Sequence, residues 1–463
     1  MCGIAGIITA SKQIDIEKTA QIMAKEIINR GPDSNGLFSK KLQKNNISIT
    51  HRRLSILDLS EKGNQPMISK SNRFVIAFNG EIYNHKFIKR KIDNVKNIEW
   101  SGNSDTEILI ESIAIFGIRK TLDLAVGMFA FALLDKQEEK LYLVRDRFGE
   151  KPLYYGLIGE SNHKSLVFAS EIHAIKKIPF FNNQINELSF EYFLRLSYIP
   201  TPISIYKNIN KVKPASMIIF DLRKDLNKEP ENIDWWSYLD LMKSNINKKF
   251  KDEEESINAL DYALDQSIID QSISDVPLGC FLSGGIDSSI ITSKLQSQNN
   301  QKIKTFTIGY HNKEFDESKY ARRIANYLGT EHNEYIITPN EIFSIINDLP
   351  KIYSEPFADS SQIPTALICK EIKNSGIVVA LSGDGGDEIF GGYVRHYMVN
   401  NLWNKINLIP FNLRKSIGIY LTKFPNQFWN NINFLQRQNF GQRITKLTQS
   451  LINSQNKESL YKS

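Results

Sequence analysis

Leu282-Ser283-Gly284-Gly285-Ile286-Asp287-Ser288-Ser289 follows an apolar run over 276–282, and its reading decides the fold of the second half of the chain. The run is short, apolar and flanked by turn residues, as a buried strand is. From Ile286 onward, Ile286, Ile290, Ile291 and Leu295 recur at helical spacing. A strand, two glycines and a helix start make an anion site. Glycine lets the backbone come close, and first-turn N–H groups lack intrahelical partners. Asp287 would repel phosphate unless a cation stood between them, which argues for a magnesium-bound polyphosphate. The plainer reading is a Gly-Ser turn capping an ordinary helix, but a cap needs neither the second glycine nor the aspartate.

A Walker A loop is excluded, since G-x-x-x-x-G-K-[ST] is absent and no lysine follows the glycines. The stretch instead resembles the pyrophosphate loop of the ATP pyrophosphatases, which cleave ATP to AMP and pyrophosphate. Beyond it the pattern predicts a strand over 303–309, a helix over 318–328, a strand over 332–337, a helix over 366–372 and a strand over 377–381. Such alternation predicts a parallel sheet covered on both faces, with ligands beyond the C-terminal strand edge. A second loop falls at that edge, Ser382-Gly383-Asp384-Gly385-Gly386-Asp387-Glu388. Its clustered carboxylates imply a cation or a proton-transfer task.

At 463 residues the chain has room for two or three domains. With 41% hydrophobic and 24% charged residues it is ordinary globular material. The net charge of +7 comes largely from 401–463, where nine Lys/Arg face one acid, Glu458. A basic surface spread over the whole protein, as for nucleic acid, is therefore not expected; the tail reads as a solvated face or one that meets further protein. Cys2, Cys280 and Cys369 are far apart and odd in number. That predicts no disulfide framework or zinc site and suits a reducing cytoplasm. Neither a membrane span nor a signal peptide is expected.

The chain opens Met1-Cys2-Gly3-Ile4. A small residue after the initiator permits methionine removal, and the freed amine of Cys2 could then serve as base for its own thiol. A cysteine at position 2 is by itself usually incidental. Arg30-Gly31-Pro32-Asp33 ends a helical pattern (Ile16, Ala20, Met23, Ile27) and reads as a turn. His51-Arg52-Arg53-Leu54-Ser55-Ile56 lies in a strand-like run over 47–57, and a strand over 74–78 leads into Asn79-Gly80-Glu81-Ile82-Tyr83-Asn84. Residues 102–107 cap a helix, and 127–134, 141–145, 152–157 and 166–170 are strand-like. Many short strands and few helices predict stacked antiparallel sheets. Taken alone, Asn79-Gly80 is a hairpin pair, and Arg53 and Asp105 are surface charges.

Five stretches in this order, M-C-G-I, R-G-P-D, H-x-R-L-S-I, N-G-E-I-Y-N and S-D-T-E, resemble a class II glutamine amidotransferase domain. The resemblance implies an N-terminal-nucleophile fold, an αββα sandwich, in which Cys2 attacks the glutamine amide to give a thioester and ammonia. It implies the Asn79 side chain and the Gly80 N–H as oxyanion donors, Arg53 on the substrate α-carboxylate, and Glu81 and Asp105 near its α-amine. The run 145–155 fits the asparagine synthetase branch, R-D-x-x-G-x-K-P-L-Y-Y, and is expected to be structural, toward a domain interface.

L-S-G-G-I-D-S-S, Glu355-Pro356-Phe357-Ala358-Asp359-Ser360-Ser361 and L-S-G-D-G-G-D-E-I-F-G-G-Y together resemble the synthetase domain of glutamine-hydrolysing asparagine synthetases. This implies Leu282, Ile308, Ser382 and Gly383 around adenosine, and Ser283, Gly284, Gly285, Ser288 and Ser289 as a pyrophosphate cradle. It implies Asp287 and Asp387 as Mg2+ ligands, and Asp384 in forming or using the acyl-adenylate. The family carries Glu or Asp at that last position. The shorter acid is common in bacterial relatives of broader range, which leaves the acceptor open.

The expected organisation is a glutaminase domain over 2–200, a connecting segment over 201–255 and a doubly wound parallel-sheet synthetase domain over 256–463. The expected reaction converts aspartate, glutamine and ATP to asparagine, glutamate, AMP and pyrophosphate through β-aspartyl-AMP, with ammonia passed between the sites. Partners are then small molecules and not nucleic acid or membrane; the compartment is the cytoplasm, and a homodimer is the working expectation. After Tyr393 the family's E-A-R-V-P-F-type stretch and a later lysine are not found. A fragment, or groups supplied by a neighbouring chain, is expected, with glutaminase chemistry retained and synthetase activity impaired. Other readings are an amidotransferase for another carboxylate such as a uronic acid, a fragment with glutaminase activity alone, a β-lactam-forming relative (disfavoured by Cys2 and the intact glutamine residues), and a non-catalytic remnant.

Overall fold

Seven consecutive buried residues, Gly3–Thr9, leave neither face of the first strand to water, so it must lie between two layers. The computed structural model describes residues 1–159, 164–312, 316–432 and 440–462. The chain forms two compact units, Met1–Ser382 and Gly383–Ser463.

In chain order the first strands are β1 (Gly3–Thr9), β2 (Ser34–Lys41), β3 (Asn46–Arg53), β4 (Met67–Ile68), β5 (Phe74–Ile82) and β6 (Gly127–Asp135). They continue with β7 (Lys140–Arg145), β8 (Tyr154–Ile158), β9 (Ser165–Ala169), β10 (Ile209–Lys211), β11 (Ser216–Asp221) and β12 (Glu231–Asp234). One antiparallel sheet runs β10-β8-β9-β1-β3-β2 and the other β12-β11-β7-β6-β5-β4. Ile4, Ile8, Ile47 and Ile49 of the first meet Val75, Ala77, Ala130, Ala132 and Leu143 of the second. Outside the first sheet, Met23 and Ile27 of the segment over Ile16–Glu26 and its end pack on Ile7 and Val167. Outside the second, the helices His85–Asp93 and Asp105–Phe116 bury Ile88, Ile92, Leu109 and Ile113 against Ile76, Phe78 and Phe131. Each such fully buried side chain is worth roughly 1.5–3 kcal/mol. The result is the αββα sandwich.

The stretch expected as a connecting segment over 201–255 carries strands of its own. Strands β10, β11 and β12 fall within it and complete both sheets, and Val212, Ile218, Phe220 and Leu222 enter the core between them. These strands are short and broken by Pro214 and the polar stretch 223–230, which hides their alternation.

A third sheet follows, made of β13 (Leu278–Phe281), β14 (Lys304–Tyr310), β15 (Glu331–Ile337) and β16 (Val379–Leu381). Its order is β15-β14-β13-β16 and every pairing is parallel. The order reverses between β13 and β16, and it is outside the carboxyl ends of strands at such a point that open α/β sheets bind ligands. Ile268, Cys280, Leu295 and Ile303 form one of its cores, and Phe306, Ile368, Ile372 and Ile377 another. The second unit is helical, with Ile406, Leu451 and Leu460 at its centre. Among the described residues no helix is long and apolar enough to cross a membrane.

Candidate active site

Arg30-Gly31-Pro32-Asp33 lays the chain against the end of β3. Any side chain on Gly31 would run into the Arg52 carbonyl. The Asp33 N–H donates to the Arg53 carbonyl (3.0 Å), and its carboxylate accepts from the Ser55 N–H (2.8 Å). Arg30 Nε donates to the Cys2 carbonyl (2.9 Å), and its Nη1 pairs with Glu171 (2.9 Å). Residue 2 is thus fixed from its own backbone. The Cys2 thiol lies 3.6 Å from the Leu54 carbonyl and 3.5 Å from its N–H. Burial pushes that thiol up, so it rests protonated and needs a base. Burial lowers the Met1 amine to about 6, helped by the Arg30 and Lys151 charges and opposed by Cys2 and Glu81. A terminal amine in these surroundings is neutral at pH 7 and can accept a proton.

Asn79-Gly80, a hairpin pair by habit, sits inside β5. That strand pairs with β6 along its length, but β4 covers only Val75 and Ile76 on its other side. Past Ile76 this edge is open, and side chains stand in for a strand. The Phe78 N–H donates to Gln65 Oε1 (2.7 Å), the Phe78 carbonyl is 3.0 Å from His51 Nε2, and the Ile82 N–H donates to Asp105 (2.8 Å). Strand alternation puts the Gly80 N–H on the same edge, between these bonded positions. A Cβ on Gly80 would lie 2.6 Å from the Phe129 Cα, so no side chain fits. Next to it, the Asn79 side chain is completely buried, and neither Oδ1 nor Nδ2 has a partner. A buried amide left so costs about 1–3 kcal/mol unless water or a ligand meets it.

The carboxyls of Glu81 and Asp105 are both pushed up, by burial first, and Glu81 further by the Asp105 charge. Such a pair favours a cation between or beside them. Arg53 is buried, and its two terminal nitrogens reach Ser60 O (2.7 Å), Asn64 Oδ1 (3.3 Å), Leu57 O (3.2 Å) and the Asp58 carbonyl. The fork therefore shapes the loop over 57–64, and it would meet a carboxylate through Nε or by exchanging one of these bonds.

In the parallel sheet, Gly284 takes φ +86°, where a Cβ would lie 2.8 Å from both Ala321 N and Tyr320 Cβ. Gly285 then opens the helix Ile286–Ser297. Ser283 Oγ lies 3.0 Å from Ser288 Oγ and accepts from the Gly285 N–H (3.3 Å), while the Ser289 hydroxyl donates to the Gly285 carbonyl (2.6 Å). The cradle is pre-shaped by its own hydroxyls, with Asp287 on the first turn. Leu282 is buried against Ala321 and Ala325, so only its backbone can face a ligand. Ile308 is half-buried between two core clusters. Ser382 leaves β16 beside β13. Gly383, Asp384 and Asp387 belong to the second unit, where Gly385 at φ +89° starts the short helix Gly386–Phe390. Among the described residues no three His, Cys, Asp or Glu gather as a metal cage.

Residues 1–230 match the glutamine amidotransferase domain family, and residues 259–461 the asparagine synthase family. Over 86% of its length the chain is 35% identical to a Methanocaldococcus jannaschii protein assigned as a glutamine-hydrolysing asparagine synthetase, 76% of which it covers. The chain belongs to the glutamine-hydrolysing asparagine synthetase family. It is 34% identical to asparagine synthetase 1 of Bacillus subtilis, over 85% of this chain and 59% of that one. With asparagine synthetase B of Escherichia coli the identity is 29%, over 87% and 66%. The chain thus spans about three fifths to three quarters of the length of these relatives. A solved glutamine phosphoribosylpyrophosphate amidotransferase of B. subtilis aligns at TM-score 0.38 and 14% identity, over 72% of this chain and 81% of that one. That likeness is too slight to add to the assignment.

Two stretches shared with the asparagine synthetase family have structural work here. In Arg145-Asp146-Arg147-Phe148-Gly149-Glu150-Lys151, the buried Asp146 carboxylate accepts from the N–H groups of Phe129, Phe148, Glu150 and Lys151 at 3.0–3.2 Å. Glu355, read only as part of the synthetase pattern, reaches the sandwich. It accepts from Lys211 Nζ (2.5 Å), the Ile205 N–H (2.7 Å) and the Tyr154 hydroxyl (3.3 Å). Lys211, Gln65 and the role of His51 escaped the sequence. For His51 a clue was present: Ile47, Ile49, His51 and Arg53 alternate onto one face of β3.

Proposed function

We propose that the chain is an ATP-dependent, glutamine-hydrolysing amidotransferase that forms asparagine from aspartate. The observation that carries this is the Asn79 amide, buried and unpartnered beside the Gly80 N–H, with the Glu81 charge bearing on the Cys2 thiol and the terminal amine. With Met1 removed, the Cys2 amine takes the thiol proton as sulfur attacks the glutamine amide carbon. The oxyanion forms against Asn79 Nδ2 and the Gly80 N–H. The proton passes to the leaving nitrogen, ammonia departs, and water cleaves the thioester to glutamate. Arg53 supports the α-carboxylate, and Glu81 and Asp105 the α-ammonium.

At the second site the aspartate β-carboxylate attacks the α-phosphorus of ATP and pyrophosphate leaves. Ammonia then attacks the acyl carbon, AMP leaves with the bonding electrons, and Asp384 takes the surplus proton. Ser283, Gly284, Gly285, Ser288 and Ser289 cradle the phosphates; Leu282, Ile308, Ser382 and Gly383 surround adenosine. Asp287 and Asp387 would hold Mg2+, which needs only one or two carboxylates beside phosphate and water and offsets charge on the phosphates. Aspartate at 384 favours testing other carboxylates as acceptors. The functional division is a glutaminase starting at residue 2 and a synthetase from about 256; a cytoplasmic setting and a homodimer complete the proposal.

Cys2→Ala tests the division of labour. It should abolish glutamine-driven asparagine formation and leave ammonia-driven formation unchanged; equal loss of both contradicts it.

A further inference from the structure

The open edge of β5 is held in place from the other sheet, and the group that does so is His51. Its ring, wholly buried, crosses from β3 to the Phe78 carbonyl at 3.0 Å. A carbonyl only accepts, so Nε2 carries the proton, and Nδ1 is left buried with no partner. Burial lowers this imidazole to about 4, which keeps it neutral. On the same open edge Gln65 accepts the Phe78 N–H at 2.7 Å, and its Nε2 is 3.2 Å from Thr106 Oγ1. Both polar groups of Phe78 are thus clamped by side chains one residue before Asn79 and two before Gly80. The same strand β3 carries Arg53 and pairs with β1, Ile4 to His51 and Gly3 to Arg52, directly after Cys2. One hydrogen bond therefore spans the two sheets between the nucleophile and the oxyanion donors.

We propose that His51 is the positioning residue of the glutaminase site, setting the separation between Cys2 and the Asn79–Gly80 donors by tying β3 to the free edge of β5. This rests on the reading of Cys2 as glutaminase nucleophile. Its effect falls on acylation and spares both glutamine binding and the thiol, because oxyanion donors act only where charge develops.

The test uses the full chain carrying His51→Leu and His51→Gln, the latter with an amide N–H able to reach the same carbonyl. Glutamate release, alkylation of Cys2 by iodoacetamide and thermal unfolding are followed for each. His51→Leu should lower kcat about 10- to 100-fold with KM changed less than about threefold, and alkylation should proceed at the parent rate. His51→Gln should recover most of kcat. An unaffected kcat in His51→Leu, a parallel loss of alkylation, or a His51→Gln no better than His51→Leu overturns the proposal. If His51→Leu does not fold, His51→Gln decides alone: near-parent kcat supports it, a kcat reduced as far as expected for leucine refutes it. A parent chain releasing no glutamate, or releasing it equally as Cys2→Ala, overturns the functional reading itself and takes this inference with it.

Discussion

Neither end of the buried Asn79 amide has a partner within the protein, so the proposed oxyanion bond costs no internal one. Asn79→Ala should therefore lower kcat for glutamate release about 10²- to 10³-fold with a small change in KM, measured by steady-state kinetics. The Glu81 and Asp105 carboxyls are both pushed up from the usual carboxylate range, chiefly by burial. On the proposed reading the substrate ammonium draws their charged form, so KM should rise as pH falls; a flat KM contradicts the pairing. His51 works the other way on stability. Its folded pKa of about 4 lies below the ordinary 6.5, so the unfolded chain binds the proton first. Stability should fall as pH drops from 6.5 toward 4, by roughly 3 kcal/mol in all, and His51→Gln should flatten that limb in urea unfolding. Cys2 and Asn79 were legible because their neighbours form an ordered set of short motifs. Gln65 and the task of His51 were not, since each acts through a bond to a residue on another strand.

The loop between β13 and the helix Ile286–Ser297 shows how much an element can carry in its sequence. Two glycines after an apolar run predicted a close backbone turn, and Gly284 indeed holds φ +86° against Tyr320 and Ala321. Gly284→Ala should strain this turn by about 1–3 kcal/mol. Pyrophosphate release should drop at least tenfold or so while glutamate release stays near the parent value; loss of both would mean the sandwich had been disturbed too. The helix Ser318–Leu328 stands where periodicity put it because Ser318, Ala321 and Ala325 form one buried stripe, and the parallel strands overlap the expected runs. Strands β10 to β12 were lost to the connecting segment: three to six residues give too few alternations to count. Nor could periodicity show that Asn79-Gly80 continues a strand, since that depends on β6 lying alongside.

Within Met1–Ser382 several hydrogen bonds tie the sandwich to the half that carries the parallel sheet, among them His173 Nε2 to the Pro350 carbonyl (2.7 Å) and the Ala358 N–H to the Ser197 carbonyl (2.9 Å). Asp275 joins the loop after β3 through the Ile56 carbonyl (3.0 Å) and the Asp58 N–H (2.8 Å), and Glu355 gathers Lys211, Tyr154 and the Ile205 N–H. The Lys211–Glu355 pair is nine-tenths buried on both sides, so removing one charge strands the other. Glu355→Gln should leave glutaminase kcat near normal but reduce asparagine formed per glutamate released; an unchanged ratio would confine Glu355 to local packing. The proposed glutaminase chemistry requires the chain's amino-terminal sulfur to become acylated by glutamine. Acid-quenching the protein milliseconds after mixing with glutamine and weighing the intact chain measures this directly. Loss of the initiator methionine plus one glutamyl group on the peptide beginning at Cys2 is the predicted result. A retained Met1, or a chain carrying no glutamyl group while glutamate accumulates, would contradict it.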